Sequence, residues 1–307
     1  MTATAGVPGS SGGGELAADG LGVGDLVVTG ATLGNPPVDE LAAVASAAGF
    51  AGLSVWPEPF YGRARAEGLS DRDIRAILDD HGVRVHDVDA VIAWAGPDDP
   101  GPPYLAEAPV DTVFGAAEAL GARLVNVGLV GSPAATVDDC AEAFARICDR
   151  AAGSGLGVTL EYYEVAVVSD LPTAAAVVTA AGRPNGAVLL DTWNHHWAGG
   201  TVDDLVAVGA PVAGVQMSDA PATRPADLLD ATMRGRLAPG DGVIELGAEL
   251  RALYAGGYRG PLTSETLNEP LLARLGAGPF AEHLAARLRE VLASAGPPAA
   301  TTSGGDR

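Results

Sequence analysis

One alternation, repeated eight times between residues 25 and 295, constrains the fold most: a short apolar run is followed by a longer Ala/Leu-rich stretch. Near-continuous apolar runs are typical of strands buried on both faces of a parallel sheet. The predicted strands are Asp25–Leu33, Ala51–Trp56, Val83–Ile92, Arg123–Gly128, Gly157–Tyr163, Ala187–Thr192, Val212–Ser218 and Pro261–Leu267. Eight strand–helix units in about 250 residues predict a closed (β/α)8 TIM barrel.

A doubly wound open sheet is the alternative architecture. Such sheets usually carry a glycine-rich phosphate loop after the first strand, whereas ATLGNPP follows it here, which favours the barrel. We therefore predict one barrel domain over residues 25–295. Residues 1–24 and 296–307 are rich in Gly, Ser, Ala and Pro, and they are predicted to be flexible tails.

Composition and charge exclude several classes of partner. The formal net charge of −21 repels phosphate backbones, so no nucleic-acid partner is expected. No continuous apolar stretch of about 20 residues predicts a membrane span, and the first residues do not resemble a secretory signal. Cys140 and Cys148 lie on one predicted helix about 12 Å apart, too far for a disulfide, which fits a reducing cytoplasm. The expected partner is a small-molecule substrate, and assembly into a homo-oligomer is left open.

Four consecutive predicted strands end in oxygen-bearing side chains. In TIM barrels the carboxyl ends of the strands form the active site, so these side chains are predicted to share one rim. They are Glu161, Asp191, Gln216 and Glu265. Each could instead cap the following helix. Buried carboxylates that converge repel each other unless they share a cation, so the set predicts a divalent-metal site.

Five segments together resemble the xylose-isomerase-like sugar phosphate isomerase/epimerase superfamily over nearly all of residues 25–295. They are LEYYE, LLDTWNHHWAGG, VQMSDAP, RLAPGDGVIEL and GYRGPLTSET. The resemblance implies that Glu161, Asp191, Gln216 and Glu265 are the metal ligands. It also implies that Glu161 and Glu265 are catalytic and face each other across the substrate.

The chain departs from the superfamily pattern at two places. Gln216 stands where many members have a histidine, and a glutamine there is similar to the bacterial 3-dehydroshikimate dehydratases. Members also commonly carry a D-x-x-H histidine, whose position is Asn194 here, and His195 and His196 follow it. Either histidine is predicted to take over a catalytic role, the alternative being that both are ordinary loop residues.

Five side chains are predicted to bind substrate or to line the pocket: His86, Asn194, Arg236, Trp56 and Trp193. His86 either points into the barrel mouth or lies inside the fold as a satisfied histidine. Arg236 either pairs with a substrate carboxylate or phosphate or forms a surface ion pair. Trp56 could equally belong to the core.

Three carboxylates and one amide form an all-oxygen ligand set, which favours Mn²⁺ or Mg²⁺. The resemblance implies a metal-dependent isomerase or epimerase that removes a proton next to the carbonyl of a sugar-like compound. A dehydratase of the dehydroshikimate or inosose type is the alternative, because of Gln216 and the altered D-x-x-H. A third hypothesis is a repurposed tailoring enzyme or a non-catalytic accessory barrel.

Overall fold

A computed structural model describes residues 20–96, 108–209 and 211–299. Within them, eight parallel strands pair in sequence order and close into a barrel. The strands are β1 (Leu26–Thr29), β2 (Gly52–Val55), β3 (Arg84–Ala95), β4 (Leu124–Gly131), β5 (Gly157–Glu161), β6 (Gly186–Asp191), β7 (Val212–Met217) and β8 (Leu262–Ser264). The predicted TIM barrel is confirmed. Most of both predicted tails lies outside the described residues.

All eight predicted strands are present, but their bounds differ from the predicted ones, most of all in the first, third, fourth and eighth strands. The first ends at Thr29, and a 3₁₀ turn over Gly30–Leu33 replaces the rest of the predicted run. The third continues to Ala95 and pairs with β4 along most of its length. The fourth continues to Gly131, and the eighth is shortened to Leu262–Ser264. The third strand matters for the site because it carries two buried acids, Asp87 and Asp89.

Helices surround the barrel, and several of them begin directly after a polar capping residue, as the sequence predicts. They are α1 (Val38–Ala48), α2 (Arg63–Ala66), α3 (Asp71–Asp80), α4 (Ala108–Leu120), α5 (Val137–Ala152), α6 (Leu171–Ala181), α7 (Thr192–Trp197), α8 (Val202–Ala207), α9 (Leu228–Arg234), α10 (Leu246–Ala255), α11 (Glu269–Leu275) and α12 (Ala277–Ala295). A π-helical turn covers Glu58–Gly62. Thr136 and Asp139 form a capping box that starts α5, which stabilises the helix by satisfying its first N–H groups.

The main core lies between the strand ring and the helices. The outward side chains of the strands, such as Val125, Val158 and Val188, are fully buried there. Helix α12 contributes Phe280 and Leu284 and packs against α1, β1 and β8, which covers the seam where the ring closes. Burial of these side chains stabilises the fold by about 25 cal/mol per Å² of apolar surface.

No helix in the described part of the chain is both long enough and apolar enough to cross a membrane. Cys140 and Cys148 are both buried in α5 as free thiols, as predicted from their spacing. Burial, and then the nearby Asp149, raise the pKa of Cys148 to about 12. That thiol is therefore a packing group rather than a nucleophile.

Candidate metal centre

Three of the four predicted ligands bring carboxylate oxygens together at the mouth of the barrel. One oxygen each of Glu161, Asp191 and Glu265 lies within 4.8 Å of the others, and all three residues are buried. Two oxygens that bind one ion at about 2.4 Å can be at most about 4.8 Å apart, so one cation could contact all three. Strand register adds Gln216, because Asp191 on β6 is its direct partner on β7.

Glu161 is held in place by three side-chain donors. Its Oε2 accepts hydrogen bonds from Asn126 Nδ2 at 2.6 Å and from the hydroxyl of Tyr163 at 2.8 Å. Its Oε1 accepts one from Asn194 Nδ2 at 2.8 Å. Gly128, its register partner on β4, leaves the space that the ring of Tyr163 occupies: a Cβ there would lie 3.0 Å from that ring. The carboxylate of Glu161 is therefore fixed in orientation before any ligand arrives.

The buried carboxylates of this cluster would carry more negative charge than the neighbouring side chains can neutralise. Burial, and then the charges of Asp89 and Asp191, raise the pKa of Glu161 to about 8. Burial also raises the pKa of Glu265 well above its ordinary value, although the charge of Arg236 opposes this. Buried carboxylates resist ionisation in this way when no cation compensates them. A divalent cation would supply the missing positive charge.

Arg236 lies inside this cluster. It is 3% exposed, and its Nη1 lies 2.6 Å from Oδ2 of Asp191 and 3.2 Å from Oε2 of Glu265. Its Nε donates to the backbone carbonyl of Thr232 at 2.9 Å. The predicted surface ion pair is thus wrong, because the guanidinium is buried against the site's own acids. The predicted contact with a substrate anion stays a prediction.

The loop after β7 delivers Arg236, and one carboxylate organises that loop. The side chain of Asp219 accepts backbone N–H groups from Gly240, Gly242 and Ile244, each at 2.9 Å. A side chain at position 242 would collide with Asp219 and the carbonyl of Ala220, so only glycine fits. Asp219 therefore orders the loop rather than contacting the acidic cluster.

The turn after β6 carries Asn194 at the position where the D-x-x-H pattern has its histidine. Asp191 caps α7 by accepting the backbone N–H of Asn194 at 3.1 Å, so it is both a helix cap and a member of the acidic cluster. The side chain of Asn194 then reaches Glu161. Asn194, the residue three positions after Asp191, is thus the polar group of this turn that the structure brings to the site.

His195 points away from the acids. It is fully buried, its Nδ1 lies 2.8 Å from the hydroxyl of Tyr162, and its Nε2 lies 3.1 Å from the carbonyl of Thr201. A carbonyl cannot donate, so Nε2 carries the proton and Nδ1 accepts from the tyrosine. Burial lowers the pKa of His195 and keeps the ring neutral. With both nitrogens engaged, the geometry favours a structural role over the predicted catalytic one.

His196 is half-buried and packs edge-on against Trp197, with ring centroids 4.6 Å apart. It borders an open groove of about 380 Å³ whose lining includes Thr201, Val243 and Glu249 but none of the clustered acids. Burial lowers its pKa. Its predicted catalytic role stays a prediction that no contact with the cluster supports.

His86 and Trp56 do not join the cluster either. Asp87, the next residue of β3, is buried with Asp89 on the inner side of the barrel, so strand alternation turns His86 toward the helices. Burial, and then the charge of Arg123, lower the pKa of His86 to about 4. The expectation that it points into the mouth is therefore corrected. Trp56 follows β2 and is half-buried, and its substrate contact stays a prediction.

Trp193 does lie beside the cluster. It is 1% exposed, its ring centroid is 5.9 Å from the guanidinium carbon of Arg236, and its indole N–H donates to the hydroxyl of Thr232 at 2.9 Å. Both residues therefore brace the arginine. The predicted position of Trp193 at the pocket wall and its contact with a substrate both stay predictions.

Two residues beside the three carboxylates, Asp89 and Asn126, were not predicted from the sequence. Asp89 on β3 accepts from Asn126 Nδ2 at 2.8 Å and from Gln216 Nε2 at 3.4 Å. Burial raises the pKa of Asp89, against the effect of these two amides. The available signals were the alternating acids of HDVDA and the lone amide in the apolar run LVNVG. Both residues precede the four strands whose ends carry the predicted ligands.

The donor set fits a divalent cation. Three carboxylates converge, and the amide oxygen of Gln216 is buried beside them without a hydrogen-bond partner. A buried polar atom normally has a partner, so an unpartnered oxygen next to three carboxylates is the arrangement that an oxygen-binding cation would complete. The fold and this centre together define a TIM barrel with a buried, metal-compatible acidic site.

The chain belongs to the family described as Xylose isomerase-like TIM barrel, which it matches over residues 42–293. It is also 30% identical over 147 residues to a protein named 3-dehydroshikimate dehydratase from Pseudomonas aeruginosa. That match covers 47% of this chain but only 22% of the relative. The chain thus spans about a fifth of the length of the curated relative it matches.

Solved structures share the fold at low identity. A xylose isomerase-like TIM barrel/4-hydroxyphenylpyruvate dioxygenase fusion protein has a TM-score of 0.75 at 22% identity, covering 87% of this chain and 42% of that one. The IolI protein with a bound zinc atom has a TM-score of 0.76 at 17% identity, covering 87% and 97%. D-allulose 3-epimerase from Methylomonas sp., solved with D-allulose, has a TM-score of 0.65 at 16% identity, also covering 87% and 97%. These likenesses show the fold alone.

Proposed function

We propose that this protein is a divalent-metal-dependent enzyme that removes a proton from the carbon next to a carbonyl in a small polyhydroxylated compound. The observation that carries the proposal is the meeting of three buried carboxylates with an unpartnered amide oxygen. Glu161, Asp191, Gln216 and Glu265 would hold the cation. A bound divalent cation polarises a carbonyl or hydroxyl oxygen of the substrate and so acidifies the neighbouring C–H bond.

The protein's own groups supply a base on each side of the site. Glu161 ends β5 and Glu265 follows β8, and two strands separate them in the ring, so their carboxylates reach the site from different directions. Hydrogen bonds from Asn126, Tyr163 and Asn194 fix the first carboxylate, whereas Arg236 contacts the second. Two bases that face a substrate from different sides suit removal and return of a proton, as isomerisation or epimerisation requires.

A dehydratase is the second candidate, and Tyr163 is the observation that favours it. Its hydroxyl lies 2.8 Å from Glu161, and burial raises its pKa well above the ordinary value, so it stays protonated. One carboxylate base and one neutral acid suit elimination of water, since the acid protonates the departing hydroxyl. The relative named 3-dehydroshikimate dehydratase supports the same reading.

For the metal, we propose Mn²⁺ or Mg²⁺ because the four candidate ligand atoms are all oxygens. The zinc atom in the IolI structure makes Zn²⁺ the natural competitor in the assay. Protein stripped with a chelator and reloaded with one metal at a time should regain most activity with Mn²⁺ or Mg²⁺. Highest turnover with Zn²⁺ would contradict this choice, and full activity without metal would contradict metal dependence.

The reaction is tested by solvent deuterium exchange. The Mn²⁺-loaded protein is incubated in D₂O with ketoses, inososes and 3-dehydroshikimate, and mass spectrometry follows both deuterium uptake and loss of water. Deuterium uptake without loss of water indicates isomerisation or epimerisation, whereas loss of water indicates a dehydratase. Tight metal binding with neither signal would favour the accessory or tailoring barrel over the proposed enzyme.

A matched pair of variants assigns the chemistry to the cluster. Glu265→Gln should lower kcat by about 100- to 10,000-fold, because positioned acid–base groups contribute that much. Glu269→Gln, four residues later and exposed on α11, should leave kcat unchanged. Equal activity in the two variants would remove Glu265 from the mechanism.

A further inference from the structure

Asp89 has no place in the predicted ligand set, yet it contacts one predicted ligand, Gln216, and also Asn126, which in turn contacts Glu161. We infer that Asp89 is a positioning residue that fixes the amide of Gln216, so that the oxygen rather than the nitrogen of this amide faces the cation site. The inference rests on the proposed function, because it concerns how this chain presents its one amide ligand.

The geometry of the two amides carries the inference. Asp89 is 7% exposed, and each of its carboxylate oxygens accepts one amide N–H: Oδ1 from Asn126 at 2.8 Å and Oδ2 from Gln216 at 3.4 Å. A carboxylate accepts hydrogen bonds but does not donate them, so it attracts the nitrogen end of an amide and repels the oxygen end. The oxygen of Gln216 is consequently the end left buried without a partner.

Asn126 carries the same effect to a second candidate ligand. Its nitrogen donates to Glu161 at 2.6 Å as well as to Asp89, and its oxygen accepts from the hydroxyl of Thr159 at 3.2 Å. Both N–H groups and the oxygen of this amide are therefore engaged, which leaves it one orientation. Asp89 thus orients Gln216 directly and Glu161 through one intermediate side chain.

Asp89 is better placed to position a ligand than to act as one. The oxygens that meet within 4.8 Å come from Glu161, Asp191 and Glu265. Groups that hold a metal ligand from behind typically change metal affinity about 10- to 100-fold when they are removed. An amide ligand needs such a partner more than a carboxylate does, because only one of its two ends can bind a cation.

The test exchanges the hydrogen-bond donor and acceptor between positions 89 and 216. Isothermal titration of the metal-free protein measures its affinity for Mn²⁺. Asp89→Asn should weaken Mn²⁺ binding about 10- to 100-fold, because an amide at this position no longer dictates which end of Gln216 turns inward. Combining Asp89→Asn with Gln216→Glu reverses the pair, so that the new amide donates and the new carboxylate keeps one oxygen for the cation. The double variant has the wild-type net charge, and its affinity should return to within about threefold of wild type.

The matched control is Asp87→Asn. Asp87 lies two residues earlier on the same side of β3 and is equally buried, but its carboxylate has no hydrogen bond to either amide. Its replacement should change Mn²⁺ affinity by less than about threefold. An equal loss in both single variants would show a general effect of buried charge and would overturn the inference.

Each outcome separates this inference from the proposed function. If the folded wild-type protein does not bind Mn²⁺, Mg²⁺ or Zn²⁺, the proposed function fails and the inference fails with it. If the wild type binds and Asp89→Asn binds equally well, the inference alone fails. It also fails if the exchanged pair does not recover affinity or does not fold, because the inference states that donor and acceptor can be interchanged.

Discussion

Nη1 of Arg236 lies 2.6 Å from Oδ2 of Asp191, and both side chains are almost completely buried. The same nitrogen reaches Glu265 at 3.2 Å, so one guanidinium contacts two of the three carboxylates that would bind a cation. Removal of one partner from a buried ion pair leaves an uncompensated charge, which typically costs about 3–5 kcal/mol. Arg236 therefore stabilises the metal-free protein by lowering the repulsion within the acidic cluster.

The first prediction follows because Arg236 and the cation would contact the same two carboxylates, those of Asp191 and Glu265. Arg236→Met should lower the free energy of unfolding of the metal-free protein by about 3–5 kcal/mol. Saturating Mn²⁺ should then raise Tm more in the variant than in the wild type, because the cation compensates charges that the arginine no longer does. Calorimetry with and without Mn²⁺ measures both effects. The control is Arg234→Met, an exposed arginine whose surface ion pairs should contribute less than about 1 kcal/mol.

The second prediction concerns Asn194. Asn194→Ala removes the hydrogen bond to Oε1 of Glu161, so kcat should fall about 10- to 100-fold while Mn²⁺ still binds. The control is Asn185→Ala, since Asn185 donates two hydrogen bonds to the backbone carbonyls of Cys148 and Leu156. Steady-state kinetics should show an unchanged kcat in the control despite its lower stability. A fall in kcat of equal size in both variants would argue against positioning of the base.

The third prediction is a pH dependence of stability that originates outside the acidic cluster. Glu249 is buried in α10, and its Oε2 has no partner. Burial, and then the charges of Asp219 and Asp191, raise its pKa to about 8. A folded-state pKa above the unfolded value near 4.5 means that folding favours the protonated form. The stability that this carboxyl contributes is therefore complete below about pH 4.5 and is lost as the pH rises toward 8.

Glu249→Gln should consequently match the wild type near pH 4.5 and become more stable by about 2–4 kcal/mol above pH 8. Denaturant unfolding of the metal-free protein at several pH values measures the difference. Glu245→Gln, at the exposed start of the same helix, should differ from the wild type by less than about 0.5 kcal/mol throughout. A gap that widens toward acid pH would show that the sign is wrong.

The fourth prediction concerns the choice of metal. Gln216→His introduces a nitrogen ligand at the position where the chain now offers an amide oxygen. Imidazole nitrogen suits Zn²⁺, whereas carboxylate and carbonyl oxygens suit Mn²⁺ and Mg²⁺. The ratio of Zn²⁺ to Mn²⁺ affinity, measured by competition titration, should therefore rise at least about tenfold. An unchanged ratio would mean that the side chain at position 216 does not contact the metal.

The barrel and three of its acids could be predicted from the sequence because both signals are local. An apolar run of strand length that ends in Glu161 or Asp191 marks a strand and places its last side chain at the mouth. Asp89 was missed because it lies inside the predicted strand rather than at its end, and only the irregular pairing of this segment with β4 brings it to Asn126. The same local reading could not tell which face of the strand His86 occupies.

The turn after β6 shows a different limit. Asn194 and His195 are adjacent in sequence, but a helical turn sends one side chain to Glu161 and the other to Tyr162. Which of two neighbours faces the site depends on where the helix begins, and Asp191 sets that point by capping it. The ion pairs of Arg236 were equally hidden, since a long loop connects it to β7 and tertiary contacts alone fix its path.

Arg259 lies where the two ends of the described chain meet. Its Nη2 donates to the carbonyl of Ala299 at 3.2 Å, and its own carbonyl lies 3.6 Å from where a Cβ on Gly22 would be. Arg259 precedes β8, so this meeting point is at the end of the barrel opposite the acidic mouth. Any polypeptide joined to Gly20 or Ala299, such as an affinity tag or a fluorescent reporter, would start from this end of the barrel. Such an addition would therefore lie at the end of the barrel away from Glu161, Asp191 and Glu265.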